Sequence, residues 1–477
     1  MPLVTRPTAT ATLLGGSIAL PAATCRHGQA RAVRPWTGEP GTAGVVAVVG
    51  AGKMGLPLAG QFASHGWTVI AVDIQADVVA TINAGRTHVD EPGLADLVGE
   101  AHAAGRLRAT TDGAAAVREA DVVVLIVPVM LDDAGRPDYR FMDAAVDSIA
   151  PGLRAGSTVI FETTLPVGDT RGRYVPRLEA GTGLRADDDL FVAFSPERLY
   201  SGAALTNLAT YPKLVGGVGP RSAERAGAFY DSVLDTEVVV MSSAEAAEFS
   251  KLADTTYRDV NIALANEFAR YADRLGVDIL EVIAAANSQP YSHIHQPGIG
   301  VGGHCIPVYP RFLLARAPEM ELVAASRRIN DGQVDAAVEV LREHLGTLRG
   351  ATLLVLGLTY RHGVKELAYS RALPLIARLV DEGAEVLAFD PLLSAQEVEQ
   401  LGAIPWAWSQ PVKARAIALQ TGDAAWQRID WSWFPALELV YDGRNAVAAS
   451  GLPEDVAYVG VGVPDPRRRG ASARSDS

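Results

Sequence analysis

From Gly44 onward, short apolar runs rich in β-branched residues alternate with longer stretches whose apolar residues recur at helical spacing. A strand followed by a helix can rejoin its own sheet only by crossing over it, so this alternation dictates parallel strands with helices on the faces. The runs VVAVVG (45–50), TVIAVD (68–73), DVVVLIVP (121–128), STVIFETT (157–164) and LFVAFSP (190–196) make one doubly wound unit, expected over residues 44–241. Residues 242–276 keep helical spacing throughout, with Ser242 or Ser243 as N-cap. A helix of that length is expected to join two domains and to offer a face for dimerisation. A second α/β pattern follows in TLLVLGL (352–358), ALPLIARLVDEG, EVLAFDP (385–391), ALELVYDGR and VAYVGVG.

The first run ends in VVGAGKMGLPLA, which places Gly50, Gly52 and Gly55 in a G-x-G-x-x-G pattern between strand and helix. In that setting one glycine makes the tight turn, the next admits a pyrophosphate to the backbone, and the third lets helix and strand pack closely. The second strand ends in Asp73, whose carboxylate would accept from ribose hydroxyls and repel a 2′-phosphate, which favours NAD over NADP. The expected fold is therefore α/β, with two Rossmann-like doubly wound domains joined by a long central helix. Its segments are a cofactor domain (44–241), a central helical and dimerisation region carrying a cysteine loop (242–345), and a C-terminal α/β domain (346–465).

The formal net charge of −13 argues against nucleic acid or an anionic membrane as partner, because both need a concentrated positive field. No later run reaches the roughly 18 apolar residues of a membrane span. Two cysteines, Cys25 and Cys305, cannot build a disulfide framework, which favours a reducing, cytoplasmic setting. Residues 1–43 read as a disordered extension or, through TATATLLGGSIALPAA, as a signal peptide; residues 466–477 read as a disordered tail.

Cys305 lies in PGIGVGGHCIPVYP, where glycines at 298, 300, 302 and 303 contribute little to a core but allow close approach of a ligand. Three readings stand side by side: a buried small hydrophobe, a metal ligand with His293, His295 and His304, or a nucleophile. Beside a nicotinamide site a thiol has a particular use. An aldehyde is a poor hydride donor, whereas its thiohemiacetal is a good one and yields a thioester that water cleaves.

Eight stretches carry a resemblance in chain order: VVGAGKMGLPLA, INAGRTHVDEPGL, ETTLPVG, SPERLYSG, AEFSKLADTTYRDVNIALANE, PGIGVGGHCIP, LGLTYRHGVKEL and YDGRN. Through them residues 44–462 resemble the UDP-glucose/GDP-mannose dehydrogenase family, and ETTLPVG with YRDVNIALANE is most similar to its UDP-N-acetylmannosamine branch. The resemblance implies that Cys305 is the thioester-forming nucleophile, Lys251 the proton-transfer or oxyanion-stabilising group, and Glu197 the acid–base or water-activating carboxylate. It implies cofactor contacts from Lys53, Met54 and Thr164 besides the glycines and Asp73. Arg198, Leu199, Thr255, Arg258, Gly302, Gly303, Tyr360, Arg361 and Arg444 are implied to contact a UDP-sugar, and no metal is implied.

Departures from the family pattern fall within the site rather than the core. Val129 stands where the family has Thr, Thr255 where it has Asn, and Tyr309 where it has Asp. Arg361 replaces a lysine, Ala368 a cofactor-contacting arginine, and Tyr291 an arginine of the related branch. The expectation is an NAD-dependent oxidation of a UDP-hexose or UDP-N-acetylhexosamine at C6 by a homodimer, supplying a uronic acid for polysaccharide or a specialised metabolite. A homologue making a single oxidation, or one that only binds nucleotides, are the alternatives.

Overall fold

The computed structural model describes residues 43–200 and 202–467. The N-terminal extension before Ala43, with Cys25, and the tail after Arg467 lie outside these residues, as does Ser201.

The first sheet contains β1 (Val45–Val49), β2 (Thr68–Val72), β3 (Leu107–Thr110), β4 (Val122–Leu125), β7 (Thr158–Phe161), β8 (Phe191–Phe194), β9 (Lys213–Gly217) and β10 (Val238–Val240), with β5 (Met130–Leu131) and β6 (Pro137–Asp138) forming a separate hairpin. Its order is β10-β9-β8-β7-β4-β1-β2-β3. Every residue of β4, β7 and β8 is buried, the signature of strands covered by helices on both faces. All pairings in this sheet are parallel except β8 with β9, where Ala193 faces Gly217 and Phe194 faces Gly216. β9 and β10 therefore both run opposite to the other six strands, which brings Lys213, the first residue of β9, to the edge where those strands end.

The second sheet is wholly parallel and comprises β11 (Thr352–Leu356), β12 (Glu385–Phe389), β13 (Ile404–Pro405), β14 (Ala416–Leu419), β15 (Leu439–Asp442) and β16 (Ala457–Gly460) in the order β13-β12-β11-β14-β15-β16. Alternation along β11 sends Leu353 and Val355 to one core and Leu354 and Leu356 to another, where Trp406, Trp426 and Phe434 are buried. Both sheets thus share the strand order of dinucleotide-binding folds, with the crossover point beside the first strand of each.

The long helix runs Ala244–Leu275, capped at its start by the Ser243 hydroxyl accepting from Ala246 N–H and ended by Gly276 in the left-handed region. Ala244, Ala247 and Leu252 belong to the first core, while Ala269 and Ala272 belong to the second. One element therefore enters both cores and fixes the spacing between the two nucleotide-type edges. No helix among the described residues is long and apolar enough to cross a membrane.

Candidate active site

The turn after β1 is shaped by steric necessity. Gly50 has φ +101°, and a Cβ on Gly55 would lie 1.8 Å from the Gly50 carbonyl oxygen. Gly52 differs, since a Cβ there would meet nothing within 4 Å. That open ground at the start of helix Gly55–Ser64 fits a pyrophosphate held by helix N-terminal amides. Asp73, partly exposed at the end of β2, accepts from Ala51 N–H (3.1 Å) and Gln75 N–H (3.0 Å) and so borders the same space. The residues present fit an NAD molecule; Met54 occupies the N-cap of the helix, and Lys53 reaches outward to Glu366 at 2.6 Å.

Glu366 belongs to the loop after β11, so this ion pair joins the cofactor turn to the second domain. His304 Nε2 lies 3.4 Å from the same carboxylate, and Ala368 N–H donates to it at 3.0 Å. With His304 contributing most and Lys53 adding to it, the Glu366 carboxyl is held far below the usual carboxylate range. The loop also carries the cysteine segment: Gly303 N–H donates to Ala368 C=O at 2.9 Å, and Cβ atoms on Gly302 and Gly303 would meet Tyr360 at 2.8 and 3.1 Å. Gly303 has φ +92°, a conformation a side chain would strain. The resulting turn leaves Cys305 a partly exposed free thiol just before helix Tyr309–Arg316.

Around the thiol the structure gathers residues from distant parts of the chain. Tyr309 N–H donates to Cys305 C=O at 2.9 Å, and the Tyr309 hydroxyl faces the Cys305 thiol and Thr164. Burial raises the Tyr309 pKa well above that of an ordinary phenol, Cys305 adds to the effect, and Thr164 opposes it. Lys251 is buried on the long helix, with Nζ 6.0 Å from the Tyr309 ring centre and no ion-pair partner among the described residues. Glu197 follows β8 and feels both Tyr309 and Lys251. Its Oε1 accepts from Leu199 N–H at 2.6 Å, while its Oε2 is buried with no hydrogen-bond partner among the described residues. Burial raises the Glu197 pKa to about 7; Lys213 draws it down and Glu162 pushes it up.

The remaining expected residues take more varied positions. Arg258 donates to the Tyr200 hydroxyl at 3.2 Å, linking the long helix to the SPERLY loop, and Arg198 donates to Pro212 C=O. Thr255 spends its hydroxyl donor on Lys251 C=O at 3.1 Å, so that proton is committed to the helix. Arg444 sits beneath the glycine loop, donating to Gly300 C=O (2.8 Å) and Gln420 C=O (3.1 Å), with burial lowering its pKa. In this arrangement it supports the Cys305 segment. Arg361 lies 5.6 Å from the centre of the Tyr360 ring. Val129 is part of the first core, and Tyr291 is 91% exposed. His293 and His295 are tied to Asn261 on the long helix through their backbone, away from the Glu366 contact of His304. Among the described residues no group of three or more His, Cys, Asp or Glu side chains is placed to hold a metal.

Sequence reasoning missed Glu162, Lys213 and Tyr230. Glu162, fully buried after β7, accepts from Lys213 Nζ at 2.9 Å and from the Tyr230 hydroxyl. A carboxylate closing an apolar strand was the available signal; its partner, a lysine opening a strand outside the expected set, was not.

Three family models cover most of the chain: the NAD binding domain of the UDP-glucose/GDP-mannose dehydrogenase family over residues 45–234, its central domain over 245–332 and its UDP binding domain over 354–449. A UDP-N-acetyl-D-mannosamine dehydrogenase of Pyrococcus horikoshii is 34% identical over 427 residues, which are 87% of this chain and 99% of that protein. An NDP-N-acetyl-D-galactosaminuronic acid dehydrogenase of Ralstonia nicotianae is 35% identical over 75% of this chain and 86% of its own length. Among solved structures, the P. horikoshii UDP-D-ManNAc dehydrogenase superposes with TM-score 0.78 at 32% identity, covering 88% of this chain and 100% of that one. A UDP-glucose dehydrogenase from Pyrobaculum islandicum gives 0.80 at 27% identity, covering 89% and 98%. The chain belongs to the UDP-glucose/GDP-mannose dehydrogenase family, whose members are NAD-dependent nucleotide-sugar oxidoreductases, and NAD is its cofactor.

Proposed function

We propose that this protein oxidises the C6 alcohol of a UDP-hexose or UDP-N-acetylhexosamine to the uronic acid in two two-electron steps, with Cys305 as the covalent nucleophile. The observation that carries this reading is the position of the Cys305 segment. It is bound to the second domain through Gly303 and Ala368, to the cofactor turn through His304, Glu366 and Lys53, and it presents the thiol to Tyr309 beside Thr164.

Bound NAD would supply the hydride acceptor for each oxidation. Lys251, buried and with no carboxylate partner among the described residues, would support negative charge on the sugar O6 as its proton leaves. Loss of hydride from C6 as that proton leaves gives the aldehyde, and the thiol would add across it, forming a C–S bond and passing its proton to O6. Loss of a second hydride from C6, with the O6 proton released to solvent, leaves a thioester; water then attacks the carbonyl, breaks the C–S bond and restores the thiol. Glu197 would take the proton from that water, since its raised pKa matches general acid–base work near neutral pH. Arg198, Leu199, Arg258, Tyr360, Arg361 and Arg444 would bind or frame the sugar nucleotide.

A homodimer is part of the proposal, supported by Tyr257, Leu264, Phe268, Tyr271 and Leu275, which leave an apolar row exposed along the long helix. A cytoplasmic setting accords with a working free thiol, and the product would feed polysaccharide or a specialised metabolite. A single-oxidation enzyme is the second reading, favoured by Tyr309 in place of a carboxylate and by the commitment of the Thr255 hydroxyl to Lys251 C=O. Turnover of UDP-N-acetylmannosamine, UDP-N-acetylglucosamine, UDP-glucose and GDP-mannose, followed as NADH, tests the proposal. Oxidation of at least one UDP-sugar is expected, and no NADH from any of them would overturn it.

A further inference from the structure

The Glu197 carboxylate stands against a second, deeper set of charges that the proposed chemistry does not use. Glu162 is fully buried, and Lys213 and Tyr230 are buried with it. Lys213 Nζ is 2.9 Å from Glu162 Oε2 but 3.9 Å from Glu197 Oε2, so the ammonium is drawn to the deeper carboxylate. Tyr230 donates its hydroxyl to Glu162 Oε1, and its ring lies 4.7 Å from Lys213 Nζ. This placement follows from the topology: the antiparallel register that pairs Ala193 with Gly217, continued beyond the ladder, sets Lys213 opposite Glu197. Glu197 and Lys213 also line a cavity of about 20 Å³ with Arg198, Asn207 and Tyr211, enough for a water molecule.

Two isolated charges at this depth would pair directly, and a directly paired Glu197 would be held ionised and slow to accept or return a proton. We propose that the buried Glu162–Lys213 pair is a positioning device for Glu197, engaging the lysine so that the Glu197 carboxyl group stays free to exchange its proton with the reacting site. Glu162, Lys213 and Tyr230 are thus positioning residues, and the inference rests on the reading of Glu197 as the acid–base group. The groups facing Glu197 are Glu162 from the end of β7, Lys213 from β9, Lys251 from the long helix, Tyr230 from helix Pro220–Val233 and Tyr309 from helix Tyr309–Arg316. Of these the two lysines favour its charged form and Glu162 opposes it.

The test is a carboxyl ¹³C NMR titration of Glu197 in the full-length protein, the signal assigned by its loss in Glu197→Gln. The parent midpoint is expected near neutral pH. Glu162→Gln frees Lys213 to pair with Glu197 and is expected to lower the midpoint by about 1–2 pH units, whereas Lys213→Met raises it by a similar amount. Lys213→Arg keeps the cation and should stay within roughly half a unit of the parent. A merely structural role predicts no such opposed shifts. A parent midpoint in the ordinary glutamate range near about 4.3, or shifts of one sign in both substitutions, overturns the proposal. If Lys213→Met does not fold, the parent and Glu162→Gln titrations decide it. Because the signal needs no turnover, opposed shifts in a protein that oxidises no sugar nucleotide would sink the dehydrogenase reading alone. Turnover with Glu197 in the ordinary range would sink the positioning role alone.

Discussion

The two sheets share a strand order and differ in how each leaves its first strand. After β1 the chain needs only Gly50 to Met54 before a helix starts at Gly55, and Gly52 faces open space. After β11 no helix starts until Ala372, and the intervening loop builds the wall against which Gly302 and Gly303 pack. The carboxylates at the second strands diverge in the same way. Asp73 is partly exposed and accepts from Ala51 and Gln75, whereas Asp390 is buried and takes the N–H groups of Leu358 (2.7 Å) and Thr359 (3.0 Å) together with the Thr359 hydroxyl (3.1 Å). One fold has therefore been used with a short turn open to the cofactor in the first domain and with a long loop that supports the thiol segment in the second. The turn, not the sheet, carries the difference.

The largest expected effect comes from exchanging the fates of the two aspartates. Asp390→Ala orphans the amides of Leu358, Thr359 and Leu392, the first two of them buried, while the Thr359 hydroxyl keeps Arg361 C=O; it is expected to cost about 3–5 kcal/mol in a denaturant melt, with NAD selectivity unchanged. Asp73→Ala should leave the melt nearly unaltered, weaken NAD roughly tenfold and narrow the preference for NAD over NADP. If both behaved alike, the division of labour between the turns would be wrong.

Next comes the cofactor turn itself. Gly55→Ala forces a Cβ to within 1.8 Å of the Gly50 carbonyl, so NAD affinity by calorimetry should fall about 100-fold. Gly52→Ala meets no protein atom within 4 Å; it should keep the parent melting temperature and lose affinity only because its methyl enters the ligand's space.

A third, smaller effect is pH dependence. Glu248, fully buried on the long helix, accepts from Gly168 and Thr170 N–H, yet burial raises its pKa from 4.5 to about 7. The folded state then binds more protons than the unfolded chain between these values, so stability falls as pH rises through that window. Glu197 acts in the same direction. The melting temperature should drop between pH 5 and 7.5, with Glu248→Gln removing about 1–3 kcal/mol of that slope. The smallest effect is that of Lys53→Ala, since an ion pair whose lysine is 56% exposed contributes about 0–1 kcal/mol. The expected change is a few-fold rise in the KM for NAD with an unaltered melt.

Most of this organisation was legible in the sequence where local sterics or burial on both faces dictate residue type. The glycines of VVGAGKMG, Asp73 and the β-branched runs are such places, and so is the long helix. Short strands escaped notice because Lys213–Gly217 and Ala416–Leu419 lack a β-branched run, so their status depends on neighbours. Glu162 and Lys213 escaped for a related reason: their meeting depends on the antiparallel β8–β9 pair, which no local pattern encodes. The family pattern implies substrate contacts for Arg444 and Thr255, and what it does not encode is that each also donates to backbone carbonyls, Arg444 to Gly300 and Gln420 and Thr255 to Lys251. Departures such as Tyr309 were visible as letters, while their consequence depends on what surrounds the thiol.

The most direct test of the Cys305 route is the number of NADH molecules formed per UDP-sugar consumed, in the parent protein and in Cys305→Ser. A ratio near two that falls toward one or is abolished in the variant is expected if the thiol carries the second oxidation. A ratio near one, the same in both proteins, would contradict the thioester route and identify Tyr309 with an enzyme that stops after a single oxidation.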